Sequence, residues 1–181
     1  METATLAGGC FWCTEAIFKR LRGVGSVIPG YSGGDPPAGG ENPTYEQVSS
    51  GESGHAESIQ IKFDPKVISF EKILEVFFKT HDPTTKNRQG DDVGSQYRSM
   101  VFYHDEKQKK TAEGLVKKLN QESYSGKIVT QIIPYKNFFE AEDYHKEYYE
   151  KNRSAGYCRA IIDPKIQKFY KEFGELAKEE N

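Results

Sequence analysis

Residues 57–80, ESIQIKFDPKVISFEKILEVFFKT, change their hydrophobic period halfway along. In the first seven, Ile59, Ile61 and Phe63 alternate with other residues, the period-two pattern of a half-buried strand. Pro65 stops the strand, and the Ser69 hydroxyl is suited to cap a helix beginning at the next residue. Phe70, Ile73, Leu74 and Phe77 then fall on one face at helical spacing. The result is a strand–helix unit, and the segments around it repeat the pattern.

Upstream, TATLAGG is a short strand-forming run, and residues 12–22 carry a helical stripe of Cys13, Ile17 and Leu21. VGSVIPGY reads as a strand broken late by Pro29. Residues 32–56, with six glycines and three prolines, read as mostly irregular, and so long a loop in a compact domain is usually functional or disordered. Downstream come a polar loop at 81–98, a strand SMVFY, a charged helix at 105–121, and a strand IVTQII ended by Pro134. A helix rich in Glu, Tyr and Lys is predicted over 138–151, a loop NRSAGYCRA after it, and a last helix over 164–178. The order is β-α-β-loop-β-α-β, then α, β, α. It fits an α+β fold with a ferredoxin-like split β-α-β core: one mixed sheet, packed helices and long irregular loops.

At 181 residues the chain is expected to form one catalytic domain, its segment from about 152 carrying a loop cysteine and the last helix. A net charge of -2 gives no basic excess for nucleic acid or a membrane surface. No targeting segment or membrane span is visible, so a cytoplasmic monomer is expected. Three cysteines argue against a secreted disulfide framework.

In GGCFWCTEAIF, residues 8–18, Cys10 follows a Gly-Gly turn at the start of a helix. The unpaired N–H groups and positive dipole there favour thiolate, so its pKa is expected below ~8.5. Cys13 shares a stripe with Ile17 and Leu21, which favours a packed thiol, yet Cys10-x-x-Cys13 has the spacing of a redox disulfide or half a zinc site. Without a second C-x-x-C or an H-x₃₋₅-H, no metal or other cofactor is expected. Cys158 lies in a Gly-containing loop, from which a mobile cysteine could resolve a sulfenic acid.

Glu57 shares the inward side of Ile59, Ile61 and Phe63, where desolvation raises a carboxyl pKa and makes it a proton donor. DDVGSQYRS offers Asp92 and Tyr97, and Tyr45 sits in the first long loop. Tyrosine hydroxyls can bond an oxygen that gains negative charge. Phe11 and Trp12 could wall an apolar pocket beside Cys10.

Taken in order, GGCFWCTEAIF, GYSGG, NPTYEQVSSGESGHAE, FDP, HDPTTKNRQGDDVGSQYRS and GYC resemble the type A peptide methionine sulfoxide reductases over most of the chain. The resemblance implies reduction of methionine-S-sulfoxide, free or in oxidised proteins. Cys10 would be the nucleophile, Phe11 and Trp12 would hold the S-methyl group, and Glu57 would be the acid. Tyr45 and Tyr97 would bind the sulfoxide oxygen, with Asp92 at the same site. Cys158 would serve recycling, with thioredoxin or a similar dithiol as reductant. Many members carry Gly where Cys13 stands, so the resolving thiol is left between Cys13 and Cys158. Two other readings are a general thiol-disulfide oxidoreductase using Cys10-x-x-Cys13 and a non-enzymatic binding module. The first leaves Glu57, Asp92 and the tyrosines without work, and the second predicts that blocking Cys10 leaves function intact.

Overall fold

The computed structural model describes residues 1–35 and 42–179. In chain order the elements are β1 (Glu2–Gly8), α1 (Phe11–Phe18), β2 (Val24–Ser32), α2 (Tyr45–Ser49), β3 (Ala56–Phe63), α3 (Phe70–Thr80), β4 (Arg88–Gln89) and β5 (Asp92–Val93). After these come β6 (Ser99–Tyr103), α4 (Glu106–Leu119), β7 (Gln131–Pro134), β8 (Phe139–Glu140), α5 (Tyr148–Lys151) and α6 (Asp163–Phe173).

The main sheet runs β7-β6-β1-β3-β2-β8, parallel only between β6 and β7. Its centre, β6-β1-β3-β2, is two interleaved β-α-β units, which is the expected split core. The alternation in β3 does what the sequence suggests. Ile59 and Ile61 pair with Leu6 and Ala4 of β1, Phe63 pairs with Glu2, and the buried face they form meets Ile73, Leu74 and Phe77 of α3. Each such side chain contributes about 1.5–3 kcal/mol by leaving water. Ser69 caps α3 by accepting from Lys72 N at 3.1 Å.

Several boundaries differ from the sequence expectation. Pro29 does not break β2, because its nitrogen lies on the β8 side, where its carbonyl accepts from Ala141 N beyond the end of β8. No bond to β3 is lost there. The helix expected over 12–22 is α1 alone; Leu21 instead bridges to Ala177. In the glycine-rich span, Thr44 and Gln47 form a reciprocal cap that starts α2; part of that predicted loop, residues 36–41, lies outside the described residues. The loop at 81–98 folds into a β4–β5 hairpin and a 3₁₀ turn at Ser95–Tyr97.

The largest departure is 138–151, which is not one helix. Residues 139–140 join the sheet edge as β8, Asp143–His145 form a 3₁₀ turn, and helix returns only in α5. Between them Glu147 takes a left-handed conformation (φ 58), and its N–H is held by both carboxylate oxygens of Glu15 at 2.9 and 3.0 Å. The helix expected from the Glu, Tyr and Lys content yields here to pairing with β2 and to a buried carboxylate on α1.

Candidate active site

The turn from β1 into α1 fixes the reactive end of the molecule. Gly9 has φ 91, and a Cβ there would lie 2.5 Å from Gln89 Cγ. Gly9→Ala is therefore expected to lower stability by about 1–3 kcal/mol through strain, read as a lower Tm, and to slow the reaction by shifting Cys10. An unchanged Tm and rate would show that the turn tolerates a side chain.

Cys10 is the N-cap residue of α1 and is 7% exposed. The orphan N–H next to it, on Phe11, donates to Glu57 Oε2 at 3.0 Å. The helix start thus holds a carboxyl group instead of stabilising the thiolate. Burial pushes the Cys10 thiol well up, reinforced by Cys13 and Glu57, whereas Tyr157 pulls the other way. The expected fall in its pKa is overturned for a physical reason: the thiol is buried and the neighbouring groups that act on it most, Cys13 and Glu57, are acidic.

Glu57, on β3, is 2% exposed and faces the core side as its alternation implied. Burial pushes its carboxyl up to about 8, the Phe11 N–H opposes, and Asp92 adds to the rise. At neutral pH the protons sit on both Glu57 and Cys10. Tyr45, at the start of α2, is pushed up to about 12 by burial and then Glu57. Tyr97, in its 3₁₀ turn, is raised by the same causes, so both hydroxyls remain donors.

Cys10, Phe11, Trp12, Tyr45, Glu57, Asp92, Tyr97 and Tyr157 line one cleft of about 190 Å³. All but Tyr157 are sequence candidates. Tyr157 donates to Asp92 Oδ2 at 3.0 Å and lies 3.8 Å from Cys13 Sγ. Trp12 is held on three sides. Its indole N–H donates to His145 Nδ1 at 3.0 Å, its ring stacks on Tyr148 with centroids 3.6 Å apart, and Tyr157 meets it edge-on at 5.7 Å.

All three thiols are free and lie in one apolar cluster with Ala16, Ile162 and Ile166. Cys13 is packed, as its stripe suggested, and its hydrogen bond from Cys10, with Lys165 nearby, draws it down to about 7 against burial. Cys158 does not sit on a free loop. It is fully buried, opens a π turn over Cys158–Ile162 that leads into α6, and is pushed up by burial, then by Asp163 and Cys13.

The family model of peptide methionine sulfoxide reductase matches residues 2–177. The chain belongs to that family. It is 57% identical to the peptide methionine sulfoxide reductase MsrA of Sulfolobus acidocaldarius, over 98% of each chain. Among solved structures it is similar to reduced Mxr1 from Saccharomyces cerevisiae (TM-score 0.79, 35% identity, 87% of this chain and 88% of that one). It is also similar to Mxr1 in complex with Trx2 (TM-score 0.54, 26% identity, 81% of this chain and 84% of that one).

Within this reductase, sequence reasoning missed Tyr157, Tyr148, His145 and Glu142. The last three fall in the span read as a single helix, which gave them no role at the site. Tyr157 had one signal, its position beside Cys158. Among the described residues no helix is long and apolar enough to cross a membrane, and no three His, Cys, Asp or Glu side chains are grouped to hold a metal ion.

Proposed function

We propose that this chain reduces methionine-S-sulfoxide, free or within oxidised proteins, with Cys10 as nucleophile and Glu57 as acid. The observation that carries this is the Glu57 Oε2–Phe11 N–H bond of 3.0 Å, which fixes a buried acid beside the Cys10 thiol in the cleft of Tyr45 and Tyr97. The Glu57 proton passes to the sulfoxide oxygen while the Tyr45 and Tyr97 hydroxyls bond it, each well-placed donor contributing about 3 kcal/mol in a dry site. Cys10 sulfur bonds to the sulfoxide sulfur, and its own proton goes to the carboxylate that Glu57 has just become. In the collapse the adduct's S–O and S–S bonds break as the hydroxyl transfers to the Cys10 sulfur, releasing methionine and leaving Cys10 as sulfenic acid: the sulfoxide gains two electrons and the thiol loses them. The thiolate is thus made during the reaction, consistent with a resting site that keeps both protons. Phe11 and Trp12 favour an S-methyl group, an apolar contact of ~1 kcal/mol.

The reset uses the thiol cluster. Cys13, packed with Cys10 in one cluster, attacks the sulfenic acid and expels water; Cys158, in the same cluster, takes over the disulfide and presents it to a thioredoxin-type dithiol. Cys158→Ser is expected to release about one methionine per enzyme and stop at a Cys10–Cys13 disulfide, visible by peptide mass mapping. Full thioredoxin-driven turnover in that variant would leave Cys13 as the sole resolving thiol. The proposal extends to one catalytic domain acting as a monomer in the cytoplasm, which the mass in solution and cell fractionation test. A general thiol-disulfide oxidoreductase would need Cys10 and Cys13 but not Glu57, Tyr45 or Tyr97. Insulin reduction measured beside methionine sulfoxide reduction separates the two.

A further inference from the structure

Behind the cleft lies a carboxylate that none of the chemistry above uses. Glu142, half-buried between β8 and the 3₁₀ turn, accepts from the Tyr31 hydroxyl at 2.7 Å through Oε2 and from Tyr45 N at 2.8 Å through Oε1. Tyr31 is fully buried on β2, directly opposite Glu57 in the ladder. Tyr45 N is one of the donors that the start of α2 cannot satisfy internally, so Glu142 pins the residue whose hydroxyl faces the sulfoxide.

The same carboxylate faces His145. The Trp12 indole N–H can only donate, so His145 Nδ1 accepts and the proton of the neutral ring is assigned to Nε2. Nε2 is buried, has no hydrogen-bond partner among the described residues, and lies 3.8 Å from Glu142 Oε2. Burial lowers the His145 pKa against the pull of Glu142 and keeps the ring neutral. Burial also opposes ionisation of Glu142, yet the Tyr31 hydroxyl and the Tyr45 N–H hold it below the usual carboxylate range. One negative group therefore orients Tyr45 directly and Trp12 through the imidazole, across two elements that are far apart in sequence.

We propose that Glu142 is a positioning residue for the reductase reaction, setting Tyr45 against the sulfoxide oxygen and Trp12, through the His145 tautomer, against the S-methyl group. This rests on the reduction chemistry above. The test is single-turnover methionine release from methionine-S-sulfoxide, with emission of Trp12, the only tryptophan, recorded alongside. Wild type, Glu142→Ala, Glu142→Gln, Tyr45→Phe and the Glu142→Ala/Tyr45→Phe pair are compared.

Glu142→Ala is expected to lose about tenfold in rate at saturating substrate, the size of one lost charge-assisted hydrogen bond. In the Tyr45→Phe background the loss should shrink to roughly threefold or less, since the two residues act as one unit. Trp12 emission should shift in Glu142→Ala, and Glu142→Gln, which keeps one acceptor oxygen, should recover part of both signals. If Glu142→Ala does not fold, Glu142→Gln carries the same comparison. No rate loss, a loss equal in both backgrounds, or unchanged Trp12 emission would each overturn the proposal while wild-type turnover leaves the reduction chemistry standing. A wild type that releases no methionine would instead refute that chemistry.

Discussion

Cys10→Ser is expected to release no methionine from methionine-S-sulfoxide, even with enzyme in excess over substrate. The reason is chemical. Reduction needs a soft nucleophile that can take up the oxygen as a sulfenic acid and then surrender it to a thiol, and a serine hydroxyl can do neither. Cys13 is no substitute. It is 1% exposed and does not line the cleft, whereas Cys10 stands at the N-cap with Glu57 held one residue away on Phe11 N–H. The fold should survive, because Ser is close in volume and an N-cap hydroxyl is favourable. A well-folded Cys10→Ser protein that still yields one methionine would remove Cys10 from the reaction.

Glu57→Gln should retain substrate binding but lower the rate of sulfenic acid formation by about 10²–10⁴-fold, the usual contribution of a positioned acid. Gln can still accept the Phe11 N–H, so the local geometry is kept and the proton alone is removed. In wild type the rate should fall as pH rises through about 8, where the Glu57 carboxyl ionises, and the variant should show no such step. Stability carries the same signature with a definite sign. The folded pKa of Glu57 is raised, so its contribution to stability is present at low pH and is lost as pH rises towards about 8. Gln does not titrate, so the Tm of Glu57→Gln relative to wild type should increase over that range. An equal rate at neutral pH, or a wild-type profile flat through pH 8, would assign the proton to another group.

The parts of this fold that sequence exposes are those governed by local periodicity. Alternation in 57–63 and the Ser69-capped helix after it are properties of neighbouring residues, and they hold in β3 and α3. The parts it hides depend on distant partners. Pro29 stays in a strand only because its nitrogen faces the sheet's short-paired side. The 138–151 helix gives way because Gly30 and Tyr31 of β2 pair with 139–140 and Glu15 captures Glu147 N–H. The site divides in the same way. Glu57 was legible because its parity in the strand fixes the side it faces. The charge state of Cys10 was not, because a helix start lowers a thiol pKa only where its N–H groups are available, and here the first is bonded to Glu57. Cys158 looked mobile from its glycine-containing loop, but apolar contacts with α1 and α6 bury it.

The most direct test is to treat the Cys13→Ser/Cys158→Ser protein with one equivalent of methionine-S-sulfoxide, trap with a sulfenic-acid-specific dione, and map the adduct by peptide mass spectrometry. With both resolving thiols gone, about one methionine should be released per enzyme, and the adduct should be on Cys10 alone. Methionine release without a Cys10 adduct, or no release from a folded protein, would contradict attack by Cys10 on the sulfoxide sulfur.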